Sequence, residues 1–220
     1  MCKRLIWLPL LLLVVSPEIR ASDFFSRFSI SLKPGGVLAL GGNYTDYAKL
    51  KDAVNIGIGF GPGFRYEINE NIYIDAGYAF NWMSVKKDYQ LFAYKETHPA
   101  FNLHMFTLNA TFYLKSGYLI EPYITLGGGI CPWKFSGSPI GGETWPAPGN
   151  PGEKFSGISI GLNIGLGVEV FIWKHVTVTG EVKYNYVFSR NPEKFGTDDF
   201  TQQDFLGAGI GIVYYFKKNR

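Results

Sequence analysis

Residues 54–68 read Val54-Asn55-Ile56-Gly57-Ile58-Gly59-Phe60-Gly61-Pro62-Gly63-Phe64-Arg65-Tyr66-Glu67-Ile68. Val54, Ile56, Ile58, Phe60, Phe64, Tyr66 and Ile68 fall on the even positions, while the odd positions are glycine, asparagine or charged. An extended chain turns successive side chains to opposite faces, so one face here is apolar and the other small and polar. A helical period would scatter both sets around its circumference, so the stretch reads as a strand. The same parity returns at 158–173, where Ile158, Ile160, Leu162, Ile164, Leu166, Val168, Val170 and Ile172 oppose Ser159, Gly161, Asn163, Gly165, Gly167 and Glu169. Residues 206–216 repeat it, with Leu206, Ala208, Ile210, Ile212, Tyr214 and Phe216 against Gly207, Gly209 and Gly211. Weaker versions cover roughly 28–43, 72–83, 102–114, 118–132 and 176–188, which makes eight predicted strands.

The connections alternate in length. Asn69-Glu70-Asn71, Lys115-Ser116-Gly117 and Lys174-His175 read as tight turns, whereas 44–53, 84–101, 133–156 and 189–204 are long and polar. That order makes an up-and-down meander of hairpins with both termini at the short-turn end. The interior of an eight-stranded barrel is only wide enough to be filled by side chains. The bulky even face cannot fit there; the glycine-rich odd face can. A soluble barrel around a ligand cavity would need the reverse, with large side chains inside and polar ones outside. An apolar outer wall would be an enormous exposed patch in water. In a bilayer it is required, because closure pairs every backbone N–H and C=O without water. The predicted fold class is therefore all-β: a closed eight-stranded antiparallel up-and-down transmembrane β-barrel occupying residues 23–220 as a single domain.

Composition agrees and removes other classes. The 220 residues are 46% hydrophobic but only 18% charged, and mean hydropathy is +0.02, too low for a bundle of membrane helices. A net charge of +3 gives no basic field for nucleic acid. Residues 1–22 read as a cleaved signal peptide: Lys3 and Arg4 precede an apolar run from Leu5 to Val15, with the small pair Ala21-Ser22 behind it. Its removal leaves 18 basic and 17 acidic residues, and Cys131 as the sole cysteine, so no internal disulfide is expected.

The pattern resembles the OmpA/OmpX-like outer-membrane β-barrel family, which includes porin-like and opacity-like surface proteins. Glu121-Pro122-Tyr123-Ile124-Thr125-Leu126-Gly127-Gly128-Gly129 resembles its Pro-Tyr strand with glycines behind it. Residues 161–173, closing on Trp173, are similar to the strand that follows. Gly211-Ile212-Val213-Tyr214-Tyr215-Phe216 resembles the terminal aromatic strand that the outer-membrane assembly machinery reads, although Lys217-Lys218-Asn219-Arg220 extend beyond it. The resemblance implies outer-membrane localisation in contact with lipids including lipopolysaccharide. It leaves no sequence for a periplasmic wall-binding domain. Phe80, Trp82, Tyr186 and Phe188 toward the loop end, and Tyr66, Phe112, Tyr214 and Phe216 toward the turn end, suit two interfacial girdles.

The odd face places Lys33, Arg65 and Lys183 against Glu67, Asp75, Glu121, Glu169 and Glu181 in the lumen, mostly in its turn-side half. Charges in a narrow lumen must pair or keep water, so this set is expected to form a structural plug rather than an ion path. Asn55, Gly57, Gly59, Asn81, Gly127, Gly129, Gly161 and Asn163 suggest a shallow vestibule opening at the loop side. Trp145, among Pro139, Pro146, Pro148 and Pro151, is the expected contact residue of a stiffened surface loop. His98, His104 and His175 are too dispersed for a metal site. The reading is a monomeric, non-enzymatic barrel with a plugged lumen and long loops for surface interaction or envelope integrity, without cofactor or metal. The alternatives are a lipid A-modifying acyltransferase or deacylase and a narrow small-solute channel. Barrel deacylases carry a His-x-Ser pair near the outer leaflet; position 106 after His104 is Phe, and Thr177 follows His175 at the opposite end.

Overall fold

A computed structural model of the chain describes residues 25–45, 48–89, 98–114, 119–138, 142–195 and 200–216. The proposed signal peptide, the Lys115-Ser116-Gly117 turn, Pro139 and the final four residues lie outside these. Eight long strands close on themselves, every pairing antiparallel. The first, β1 (Phe28–Ala39), leads into a small ribbon of β2 (Asn43–Thr45) and β3 (Ala48–Lys49) in the first long connection. The remaining barrel strands are β4 (Gly57–Asn69), β5 (Ile72–Ser84), β6 (Ala100–Tyr113), β7 (Ile120–Ser136), β8 (Ser156–Trp173), β9 (Val176–Phe188) and β10 (Gln203–Tyr215). Around the barrel the order is β1-β10-β9-β8-β7-β6-β5-β4, the meander expected from alternating connection lengths. At the first tight turn the Asn71 amide donates to Asn69 Oδ1 at 2.9 Å, an Asx turn that reverses the chain locally.

The inside-out assignment holds. Ile58, Phe60, Phe64, Leu108, Ile160, Leu166, Ile210 and Ile212 are each more than half exposed. Their odd neighbours Arg65, Asn109, Asn163 and Glu169 are buried. Closure satisfies the backbone, and the exposed apolar wall is what a bilayer covers. Two of the aromatic pairs named for the interfaces touch along single strands: Tyr186 meets Phe188 at 4.7 Å on the loop side, and Tyr214 meets Phe216 at 5.6 Å on the turn side.

β1 and β4 are shorter on the loop side than the alternation predicts, whereas β7 and β8 are longer there. β7 continues to Ser136 and β8 begins at Ser156, so their hairpin rises above its neighbours. There the parity of burial stays fixed but the chemistry of the inward face changes. Val37, Met83, Phe101, Leu103, Cys131, Trp133, Phe135 and Phe205 are all odd, inward and buried. The barrel thus has a polar interior below and a conventional apolar core above.

Candidate functional site

Two layers of inward side chains occupy the turn-side half. Arg65 on β4 lies diametrically across the barrel from Glu169 on β8, and Tyr113 on β6 and Tyr215 on β10 come from the strands midway between them. Arg65 Nη1 reaches Glu169 Oε2 at 3.0 Å, Tyr215 Oη at 3.1 Å and Tyr113 Oη at 2.5 Å. Its Nε donates to Asp75 Oδ1 at 2.7 Å, and Thr111 donates to Asp75 Oδ2 at 2.5 Å. Glu169, fully buried, also accepts from Tyr113, from Tyr215 at 2.5 Å and from Thr177 at 2.5 Å. A carboxylate with a guanidinium and three hydroxyl donors is satisfied, which is the condition for tolerating a buried charge.

The second layer is smaller. Glu181 sits between Lys33 at 3.1 Å and Lys183 at 3.0 Å, and Tyr123 donates to it at 3.1 Å. Six of the eight charges singled out in the sequence therefore meet in two contiguous clusters. Glu67 and Glu121 share the inward face but are only half-buried near the turns. Above the second layer a cavity of about 170 Å³ remains, lined by Lys33, Glu181, Asn109, Thr107, Asn81, Met105 and interior glycines.

The expected vestibule is not there. Described residues of all four long connections fold inward and join one aromatic cluster over the loop-side lumen. Trp133 and Phe200 lie 3.8 Å apart, Phe135 stacks on Phe155 at 4.6 Å, and Phe101 packs on Phe135 at 4.7 Å. Tyr44 brings in the first connection against Phe135 at 5.1 Å and donates through its hydroxyl to the Tyr89 carbonyl of the second at 3.1 Å. Asn150 of the third donates to the Lys194 carbonyl of the fourth at 3.1 Å. Gln203 Nε2 bonds the Asn43 carbonyl at 2.6 Å, tying the fourth connection to the first.

Trp145 is a second correction. It is not presented to solvent but 1% exposed, facing Phe135 with rings 6.5 Å apart. Its amide donates to the Phe135 carbonyl and its carbonyl accepts from the Phe155 amide, so the loop folds back against the hairpin that carries it. The loop directs the indole inward, where its apolar area is removed from water. A signal for both corrections was present. In Cys131-Pro132-Trp133-Lys134-Phe135 the apolar residues are odd, the reverse of the membrane strands.

Elsewhere the reactive side chains are dispersed. Among the described residues no three His, Cys, Asp or Glu groups are placed to hold a metal ion. His104 faces outward and hydrogen-bonds Tyr78 Oη at 2.8 Å, and His175 Nδ1 lies 2.9 Å from the Tyr215 carbonyl oxygen at the turn end.

Comparison with known proteins follows the same architecture. The outer membrane protein beta-barrel domain model matches residues 40–216. The chain belongs to that family. Its barrel is similar to the Neisserial surface protein A, at 14% identity and a TM-score of 0.58, covering 86% of this chain and 97% of that one. A major outer membrane protein from Thermus thermophilus is similar at 13% identity and a TM-score of 0.51, covering 85% and 98%. The attachment invasion locus protein of Yersinia pestis shares 18% identity with a TM-score of 0.47, covering 86% and 99%. At these identities the likeness is one of fold. No curated protein matches the sequence. This is an outer-membrane β-barrel of the eight-stranded type.

Proposed function

We propose that this outer-membrane barrel is a sealed, non-enzymatic wall protein presenting a rigid extracellular cap, used for surface interaction or envelope integrity. The observation that carries the reading is the single aromatic core shared by all four long connections. A core with Trp133, Phe135, Phe155 and Phe200 all at or below 2% exposure holds the loops in one arrangement and covers the loop-side lumen. Below it, the charge layers occupy the other half. Eight strands enclose too little space for a water channel around such fillings, so the remaining cavity is a pocket between two seals. A ligand that meets the cap meets a preformed surface, which spares it the cost of ordering loops.

The same reading assigns partners. The exposed apolar wall meets the membrane lipids, lipopolysaccharide included; the Gly211–Phe216 strand is the segment offered to the assembly machinery; and the closed barrel, with no unpaired long edge, acts as a monomer. Planar-bilayer recording of the refolded protein tests the seal, with flat traces expected. Stable conductance steps would instead support the narrow-channel alternative.

A further inference from the structure

The cavity between the charge layers and the cap is walled partly by bare backbone and partly by ammonium groups. Lys33 on β1 and Lys183 on β9 are inward residues, and both line it. Between their strands runs β10, whose inward residues Gly207, Gly209 and Gly211 carry no side chain. Lys33 can therefore cross that strand: a Cβ at Gly211 would stand 2.6 Å from Lys33 Cγ. Lys183 lies over Gly165 in the same way, its Cε 3.4 Å from the Cβ position there. Both ammonium groups reach Glu181, at 3.1 and 3.0 Å. Gly207 also lines the chamber, but a Cβ there meets nothing closer than 3.8 Å. Its side-chain position faces unfilled space.

The hydrogen-bonding capacity of this chamber is unbalanced. An ammonium has three donors and no acceptor, and among the described residues Lys33 and Lys183 each donate to Glu181 alone. Glu181 takes both lysines and the Tyr123 hydroxyl. Asp75 also lines the chamber, but its oxygens are held by Arg65 Nε and Thr111. Arg65 and Glu169 lie beneath, at 2% and 0% side-chain exposure, and are closed off from it. The two lysines by contrast keep 26% and 22% side-chain exposure. Donors are in surplus and the carboxylates are taken, so an occupant must bring acceptors. The roof has another character: Met105, part of the cap core, and Ala79 turn apolar atoms toward the same space. A cavity of about 170 Å³ has room for about five water-sized groups.

We propose that the chamber binds a short-chain carboxylate of about the size of propionate, its head on Lys33 and Lys183 and its tail beneath Met105. A carboxylate accepts charge-assisted hydrogen bonds from both ammonium groups at once, and its tail loses water against the apolar roof. Water also supplies acceptors but gains nothing at that roof, and a halide fills only a fraction of the space. Head and tail together match the two halves of the chamber. The inference goes beyond the sealed barrel and does not depend on it, because an occupant is enclosed as the barrel folds, whether or not the cap later opens.

The test refolds the full chain in detergent with radiolabelled propionate and measures the excess bound per barrel by equilibrium dialysis. Propionamide, neutral and of the same size, is the second labelled probe, and nitrate at matched ionic strength is the competitor. Lys183→Gln removes one ammonium while Lys33 and Tyr123 still serve Glu181, and Gly207→Val fills chamber space without touching a charge. Heat-dependent gel migration verifies that each variant is folded. Wild-type protein is expected to hold about one propionate per barrel and about tenfold less propionamide, and each variant about tenfold less propionate. No excess over buffer leaves the chamber to water and overturns the site. Equal binding of propionamide overturns the role of the ammonium pair, and an unchanged excess in either variant overturns the placement. Displacement by equimolar nitrate makes it an inorganic-anion site and overturns the carboxylate assignment. Bilayer conductance tests the seal separately, so either reading can fail without the other.

Discussion

Arg65→Met is the most informative single perturbation of the lumen. It removes the only guanidinium within reach of Glu169 among the described residues while keeping an unbranched side chain of similar length. The Glu169 side chain is 0% exposed, so it cannot recruit bulk water in compensation. Breaking a buried ion pair by removing one partner costs about 3–5 kcal/mol. Glu169 retains its hydroxyl donors Tyr113, Tyr215 and Thr177, and Asp75 keeps Thr111 and 19% side-chain exposure, which places the expectation at the low end, about 3 kcal/mol. Glu169→Gln is gentler, since Arg65 then still holds Asp75, and about 1–3 kcal/mol is expected. Because the two residues touch, the cycle is expected to be non-additive by about 1 kcal/mol or more, the double variant being better than the sum. Urea unfolding in lipid vesicles, read by gel migration and tryptophan fluorescence, measures all three. A cost for Arg65→Met below about 1 kcal/mol, or strict additivity, would refute the view that this pair is a buried, mutually dependent layer.

Other outcomes follow from the same geometry. Phe200→Ala, which empties the space 3.8 Å from Trp133, is expected to cost about 3–5 kcal/mol locally and to open the loops to trypsin while the barrel remains heat-modifiable; unchanged digestion would show that the cap is not cooperative. Gly129→Ala would put a Cβ 1.8 Å from the Phe106 carbonyl oxygen and is expected to abolish assembly, whereas at Gly180 the nearest atom is 3.8 Å away and Ala is expected to be accepted; yields of heat-modifiable protein compare the two. Since the seals lie in series, Arg65→Ala alone is expected to leave bilayer traces flat, with conductance steps arising only when Phe155→Ala and Phe200→Ala are added. Steps from Arg65→Ala by itself would show that the cap leaks.

Much of this protein was legible from parity alone. Segments such as 54–68 and 158–173 alternate strictly, and turn lengths order them, so strand number, topology and the outward direction of the apolar face needed no tertiary information. The lumen charges were legible as a set for the same reason, being odd residues in strands of known sense. Their partners were not. That Arg65 meets Glu169, and Lys33 meets Glu181, depends on the shear of the closed barrel and on which strands stand opposite one another, which one sequence does not state. Glu67 and Glu121 share the parity yet stay outside the two clusters because of their height near the turns.

The loop side shows the limit most clearly. A sequence read as membrane strands ending near residue 132 assigns Trp133, Phe135 and Trp145 to polar loops, and Trp145 to the surface. Periodicity is a local property, and it reports which face is apolar, not which medium lies outside. Within the bilayer the medium is hydrocarbon and the interior is polar; above it the medium is water, and the same inward positions must be apolar to bury area. Sequence by itself determined an inside-out barrel and the side of each strand that meets lipid. Tertiary structure decided where that rule stops, because only the convergence of four connections from distant parts of the chain builds a core large enough to reverse it.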